Sequence, residues 1–133
     1  MRERVLFLAL LRGWFKAIVN DNKREEYREL TPYWVKRLFD PTTEYTIDNW
    51  RKLFGKDLYE TSRLTFEKNV ADAIESGALR PKDFTHVTFT LGYPKRFDVK
   101  RISKKYEVTG IRIGKGKPEW GAPNHNVVII SFK

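Results

Sequence analysis

Residues 21–30 read DNKREEYREL, seven charged side chains in ten. From Arg24 to Leu30 the pattern is that of an extended segment. Residues two apart in a strand share a face, so Glu26 and Arg28 point one way and Glu25, Tyr27 and Glu29 the other. By spacing alone this is a charged edge strand, the kind of row that keeps sheets from pairing edge to edge. The sharper reading makes it the wall of a site. A carboxylate between the cations of Lys23 and Arg28 stays ionised and fixed, ready to accept a hydrogen bond or deprotonate water, while the cations hold a phosphate or an oxyanion.

Working upstream, Val5–Leu11 is a continuous apolar run suited to a strand covered on both faces. Trp14, Phe15, Ile18 and Val19 then recur at helical spacing, and NDN at 20–22 stops the helix. Downstream, Thr31 and Pro32 read as an N-cap and a first helical residue, leading a helix whose apolar stripe is Trp34, Val35, Leu38 and Phe39. Residues 40–83 change character. Thr46 caps a helix burying Ile47, Trp50, Leu53 and Phe54, ended by Gly55, and a second helix carries Phe66, Val70, Ala73 and Ile74 up to Gly77. The segment reads as a helical pair inserted between β elements.

From Phe84 the period becomes two. Val87, Phe89 and Leu91 alternate with His86, Thr88 and Thr90, and GYPKR at 92–96 turns the chain. In the next strand the inward parity switches between Val108 and Ile111, which predicts a β-bulge near Thr109 and Gly110. After the loop GKGKPEWGAP at 114–123, VVIISF at 127–132 is apolar on both parities, as an interior strand requires. Short strands with a bulge fit a small mixed or barrel-like α+β sheet decorated by helices better than a doubly wound fold.

Composition narrows the functions. At 133 residues one core is the expectation, so residues 1–133 read as a single domain. The chain has no Cys, which rules out disulfides, Cys-ligated zinc and thiol catalysis. His86 and His125 stand in no metal-ligand spacing, and no metal or cofactor is expected. MRERVLFLALLRGW at the start imitates a signal peptide, but Arg12 closes the apolar run and no small-x-small cleavage site follows. A cytoplasmic protein with no membrane span is the expectation. The net charge of +9 divides as +4 over residues 1–39, −2 over 40–83 and +7 over 84–133. Basic flanks of this kind make one basic surface if the two ends pack together.

Here a resemblance enters. DNKREEYREL matches the G-x-K-x-x-E-x-R signature of ASCH domains, members of the PUA-like superfamily, with Lys23, Glu26 and Arg28 at the three charged positions and Asp21 in place of the glycine. GWFKAIV before the motif, REL-TPYW-KRL after it and IGKGKPEWGAP before the last strand resemble a bacterial or phage branch of that family. The resemblance implies a small PUA-like mixed β-barrel with flanking helices, the helical pair at about 40–83 being an insertion. It also implies a cleft beside the first helix lined by the motif. Proteins of the superfamily are generally inferred to bind RNA or modified nucleosides. A subset of ASCH-like proteins hydrolyses the acetyl amide of acetylated cytidine, with a Thr where this chain has Glu26 and the Lys retained, and ribonuclease activity has been proposed for others.

The leading expectation is therefore a module binding RNA or a modified nucleoside. Lys23 and Arg28 would hold phosphate or base oxygens, and Glu26 would accept from a base edge. Trp120 of the 114–123 loop would stack on a base, with Lys115 and Lys117 near phosphate and Glu119 opposite Glu26 as a second carboxylate. The loop lacks the G-x-x-x-x-G-K-[ST] pattern of a nucleotide P-loop, and a simple chain reversal is its plainer reading. The alternative is a hydrolase of the amidohydrolase or ribonuclease type, with Lys23 as activated amine or oxyanion partner and Glu26 as general base. The basic clusters at 94–101 and 103–106 read as a solvated hairpin face or a phosphate-tracking patch. His86 and His125 read as surface histidines, and Tyr33 and Trp34 as core or cleft wall. A protein-interaction role rests only on the different charge of residues 40–83.

Overall fold

The computed structural model describes residues 2–20, 22–42, 47–92 and 102–133. The Thr46 cap and the basic cluster at 94–101 lie outside them. The order is β1 (Val5–Leu10), α1 (Arg12–Asn20), β2 (Glu25–Glu29), α2 (Pro32–Leu38), β3 (Phe39–Pro41), α3 (Ile47–Phe54), α4 (Lys56–Thr61) and α5 (Arg63–Glu75). Next come β4 (Leu79–Pro81), β5 (His86–Leu91), β6 (Ser103–Gly114), a 3-10 turn (Pro118–Trp120) and β7 (Val127–Phe132).

Five strands form one mixed sheet in the order β1-β5-β6-β7-β2. β1 runs parallel to β5, and every other pairing in this sheet is antiparallel. β7 lies between β6 and β2 with Val127, Val128, Ile129 and Ile130 all buried, which is why its apolar residues fill both parities. The bulge falls where the parity switch places it: Val108 pairs with Phe132 and Gly110 with Ser131, leaving Thr109 as the extra residue. Phe89, Tyr106 and Phe132 stack across β5, β6 and β7 with ring centroids 4.9–6.0 Å apart.

Three expectations need correction. The sheet is mixed α+β, as expected, but no closed barrel forms among the described residues. β1 and β2 are the two edges, and no backbone ladder joins them. Side chains occupy that seam instead: Arg28 on β2 donates from Nη2 to the Ala9 carbonyl of β1 at 3.1 Å, and Arg37 on α2 donates to the Phe7 carbonyl at 2.8 Å. Edge carbonyls satisfied by guanidinium groups leave no place for a fifth pairing between β1 and β2.

The second correction is β1, expected to be covered on both faces. Leu6, Leu8 and Leu10 are buried, but Phe7 is 61% exposed and Leu11, just beyond the strand, 69%. As an edge strand β1 turns its second parity toward the seam.

The third concerns residues 40–83, which hold three helices among the described residues and not a pair. Gly55 ends α3 as expected but also stands at the N-cap of α4, and Ser62 then caps α5 by accepting the Thr65 N–H. β3 and β4 pair antiparallel at the two ends of the segment, and Phe39, expected on the α2 stripe, is the first residue of β3. Thr31 caps α2, accepting the Trp34 N–H at 3.4 Å, with Pro32 first in the helix. Phe54, Phe66, Val70 and Ala73 share one apolar cluster with the buried leucines of β1, so α3 and α5 help to make the core that supports the seam. No helix among the described residues is long and apolar enough to cross a membrane.

Candidate functional site

The charged motif is placed by the end of α1 and the start of β2. Asn22 adopts φ 58°, the left-handed conformation that Asn tolerates better than most residues. The Lys23 N–H then caps α1 by donating to the Ala17 carbonyl at 3.1 Å. Arg24 donates from Nη1 to the Ile18 and Lys23 carbonyls at 2.8 and 2.9 Å, a cation at the negative end of the helix. This closure turns Lys23 inward, where the whole residue is only 1% exposed.

Three charges form a row in which Lys23 and Glu26 are buried and Arg28 is half-buried. Lys23 Nζ lies 3.2 Å from Glu26 Oε1, and Arg28 Nη2 lies 3.1 Å from Glu26 Oε2. The Lys23 ammonium sits 4.4 Å from the Trp14 ring centroid and 5.7 Å from that of Tyr27, positions in which the negative ring face stabilises a desolvated cation. The Arg28 guanidinium carbon is 5.1 Å from the Trp34 centroid. Arg28 Nε is buried and has no hydrogen-bond partner among the described residues. The row opens into a cleft of about 300 Å³. Ala9, Leu10 and Leu11 form one side, Trp14 and Tyr27 stand over the charges, and Trp120 and Gly121 complete the rim.

The 114–123 loop is fitted to this cleft by two glycines. Gly121 has φ 90°, and a Cβ there would lie 2.5 Å from the Trp14 ring. At Gly116 a Cβ would lie 2.3 Å from Tyr27 Cε1. The Tyr27 hydroxyl donates to Glu25 Oε1 at 2.8 Å and accepts the Lys117 N–H at 3.0 Å, so one phenol ties β2 to the loop. Glu25 in turn accepts from Arg112 at 2.7 Å. Burial raises the Glu25 carboxyl, but the hydrogen bonds from Arg112 and Tyr27 more than offset it and hold the group below the ordinary carboxylate range.

Burial, reinforced by the neighbouring Glu25 carboxylate, pushes the Tyr27 phenol up to about 12, against the Lys117 N–H, which favours the phenolate. A pKa raised on folding contributes stability that is complete below the unfolded value, about 10, and is lost as pH rises through the folded one. The difference in urea midpoint between wild type and Tyr27→Phe is therefore expected to be constant up to about pH 10 and to shrink above it. A difference that stays constant to pH 11 would contradict the arrangement.

Of the residues singled out from sequence, Lys23, Glu26, Arg28 and Trp120 come together at the cleft. Lys115, Lys117 and Glu119 do not line it, and all three are exposed. Lys117 Nζ lies 4.2 Å over the Trp120 ring instead. Among the described residues Glu26 is the one carboxylate lining the cleft, and the expected pairing with Glu119 is not formed. His86 is half-buried with Nδ1 2.9 Å from Thr85 Oγ1, and His125 Nε2 lies 2.9 Å from Glu29 Oε2. No group of three candidate metal ligands gathers among the described residues. In the second basic cluster Lys104 and Lys105 are exposed at the start of β6, and Lys105 pairs with Glu3.

Trp14 and Tyr27 were not singled out for the site. Trp14 read as part of a core stripe, yet it is 40% exposed. Tyr27 lies on the opposite parity from Glu26, and alternation alone gives no sign that an edge strand lets its ring reach the same cleft. No protein-family model, curated protein or solved structure matches this chain.

Proposed function

We propose that the chain is a binding module for RNA or a modified nucleoside, taking one base into the motif cleft. The observation that carries this reading is the Lys23–Glu26–Arg28 row, with Lys23 and Glu26 buried, at the floor of a cleft walled by Trp14, Tyr27 and Trp120. A ligand of this cleft has to suit one carboxylate, two cationic donors and aromatic walls. A nucleobase suits all three. Its faces stack on indole, its exocyclic amine donates to Glu26, whose oxygens each keep a free lone pair, and its keto oxygen accepts from Lys23 or Arg28. A volume of about 300 Å³ is at the lower end of small-molecule sites and suits one base with its sugar at the mouth. The resemblance of Lys23, Glu26 and Arg28 to the ASCH signature, and of the flanking segments to PUA-like proteins, supports the same reading.

The test is fluorescence anisotropy of a labelled RNA titrated at several salt concentrations, with matched DNA alongside. Trp120→Ala, a change at the rim that leaves the core intact, is expected to weaken binding by about 1–3 kcal/mol, the worth of one stacked base. Unchanged affinity in Trp120→Ala would remove the cleft from binding. A protein that holds no RNA but turns over an N-acylated nucleoside would make the same cleft that of a hydrolase.

A further inference from the structure

Two further recesses follow the motif cleft, each sharing lining residues with the one before it. A second, of about 370 Å³, shares Ala9 and Arg28 with it and is walled by Phe7, Tyr33, Trp34 and Arg37. A third, of about 530 Å³, shares Tyr33 with the second and lies between α2 and the inserted helices, where Lys36, Trp50, Arg51 and Lys56 contribute. No acidic residue lines the second or the third. Phe7 and Tyr33, 61% and 63% exposed, are large rings turned to solvent beside the second recess. Arg37 is held there by its bonds to the Phe7 carbonyl and the Tyr33 hydroxyl, with its guanidinium carbon 5.1 Å from the Trp34 centroid.

The inserted segment sharpens the point. Residues 40–83 carry a net charge of −2, yet the charged side chains they place at the third recess, Arg51 and Lys56, are both cations. Lys56 shares its charge with Glu60 at 3.6 Å, while both side chains stay largely exposed. Cations alternating with aromatic rings along a series of neighbouring recesses are the pattern that follows a single strand. The cations track the backbone, and each ring offers a face to an unstacked base. A duplex, with its bases stacked inside, has no use for the rings.

We propose that a single-stranded RNA with one base in the motif cleft continues through the Arg37–Tyr33 recess onto the face formed by α2 and α3, so that the inserted helices extend the binding track. This rests on the nucleobase reading of the motif cleft.

The experiment uses the full chain and compares the four ribonucleoside monophosphates with a mixed-sequence RNA of eight residues, in wild type and in the double variant Lys36→Ala/Arg51→Ala. Both residues are exposed, and a melting curve checks that the variant is folded. The octamer is expected to bind at least tenfold more tightly than the best monophosphate. The double variant should lose most of that gain and leave monophosphate binding unchanged. The slope of log affinity against log salt for the octamer should fall by about 1.4, two phosphate contacts at about 0.7 each. An octamer no tighter than a monophosphate, or a length gain that survives in the double variant, overturns the track and leaves the nucleobase reading standing. Binding of neither overturns both. Displacement of the octamer by a polyglutamate peptide at equal concentration would reassign the track to an acidic polypeptide.

Discussion

Replacing Glu26 with alanine is expected to cost the fold about 3–5 kcal/mol, the usual penalty for removing one member of a buried ion pair. Lys23 is 1% exposed, and among the described residues Glu26 is the one carboxylate paired with it or with Arg28. Without Glu26 two cations face each other across a small recess, one of them shut away from water. The Trp14 ring at 4.4 Å then offsets part of this, about 2 kcal/mol for a desolvated cation. Lys23→Met should cost clearly less. It leaves Glu26 paired with Arg28 at 3.1 Å and puts an unbranched apolar chain against Trp14 and Tyr27. The measurement is urea unfolding of the three proteins followed by tryptophan fluorescence. A Glu26→Ala loss no greater than that of Lys23→Met would mean that Glu26 does not neutralise the row.

The second large effect is at Gly116. An alanine there puts its Cβ 2.3 and 2.6 Å from two atoms of the Tyr27 ring and 2.7 Å from the Ala122 Cβ, all inside contact distance. The ring cannot swing aside freely, because its hydroxyl is bonded to Glu25 on one side and to the Lys117 N–H on the other. Gly116→Ala is therefore expected to destabilise by about 1–3 kcal/mol, the range for overpacking. It should also reduce ligand affinity, since the loop carrying Trp120 is displaced from the cleft. Gly114→Ala is the control: its Cβ would meet nothing nearer than Ile129 Cδ1 at 3.7 Å. Equal losses in the two variants would show that the cost is one of backbone freedom and not of contact with Tyr27.

The site and the fold were legible in sequence to different depths. The parity of DNKREEYREL put Glu26 and Arg28 on one side of a strand, and both line the cleft with Lys23. The Thr31–Pro32 cap and the bulge at Thr109 were equally local, one a matter of side chain and backbone a turn apart, the other of a parity switch within a single strand. Trp14 was harder. Its place at the edge of an apolar stripe is compatible with either core or wall, and only the approach of the Gly121 backbone to its ring makes it a wall.

What this sequence determined by itself is the strand–helix–strand–helix order up to α2, the order of the last three strands, the Thr31 cap and the bulge at Thr109. Those properties depend on residues within a turn or two of one another. The tertiary structure alone decided that β1 is an edge with Phe7 outward, that the seam between β1 and β2 is bridged by Arg28 and Arg37 and left unclosed, and that α3 and α5 share the core. It also decided that Lys23 is buried against Trp14. Each of these depends on which distant segments meet, and periodicity along one segment carries no information about what lies across from it.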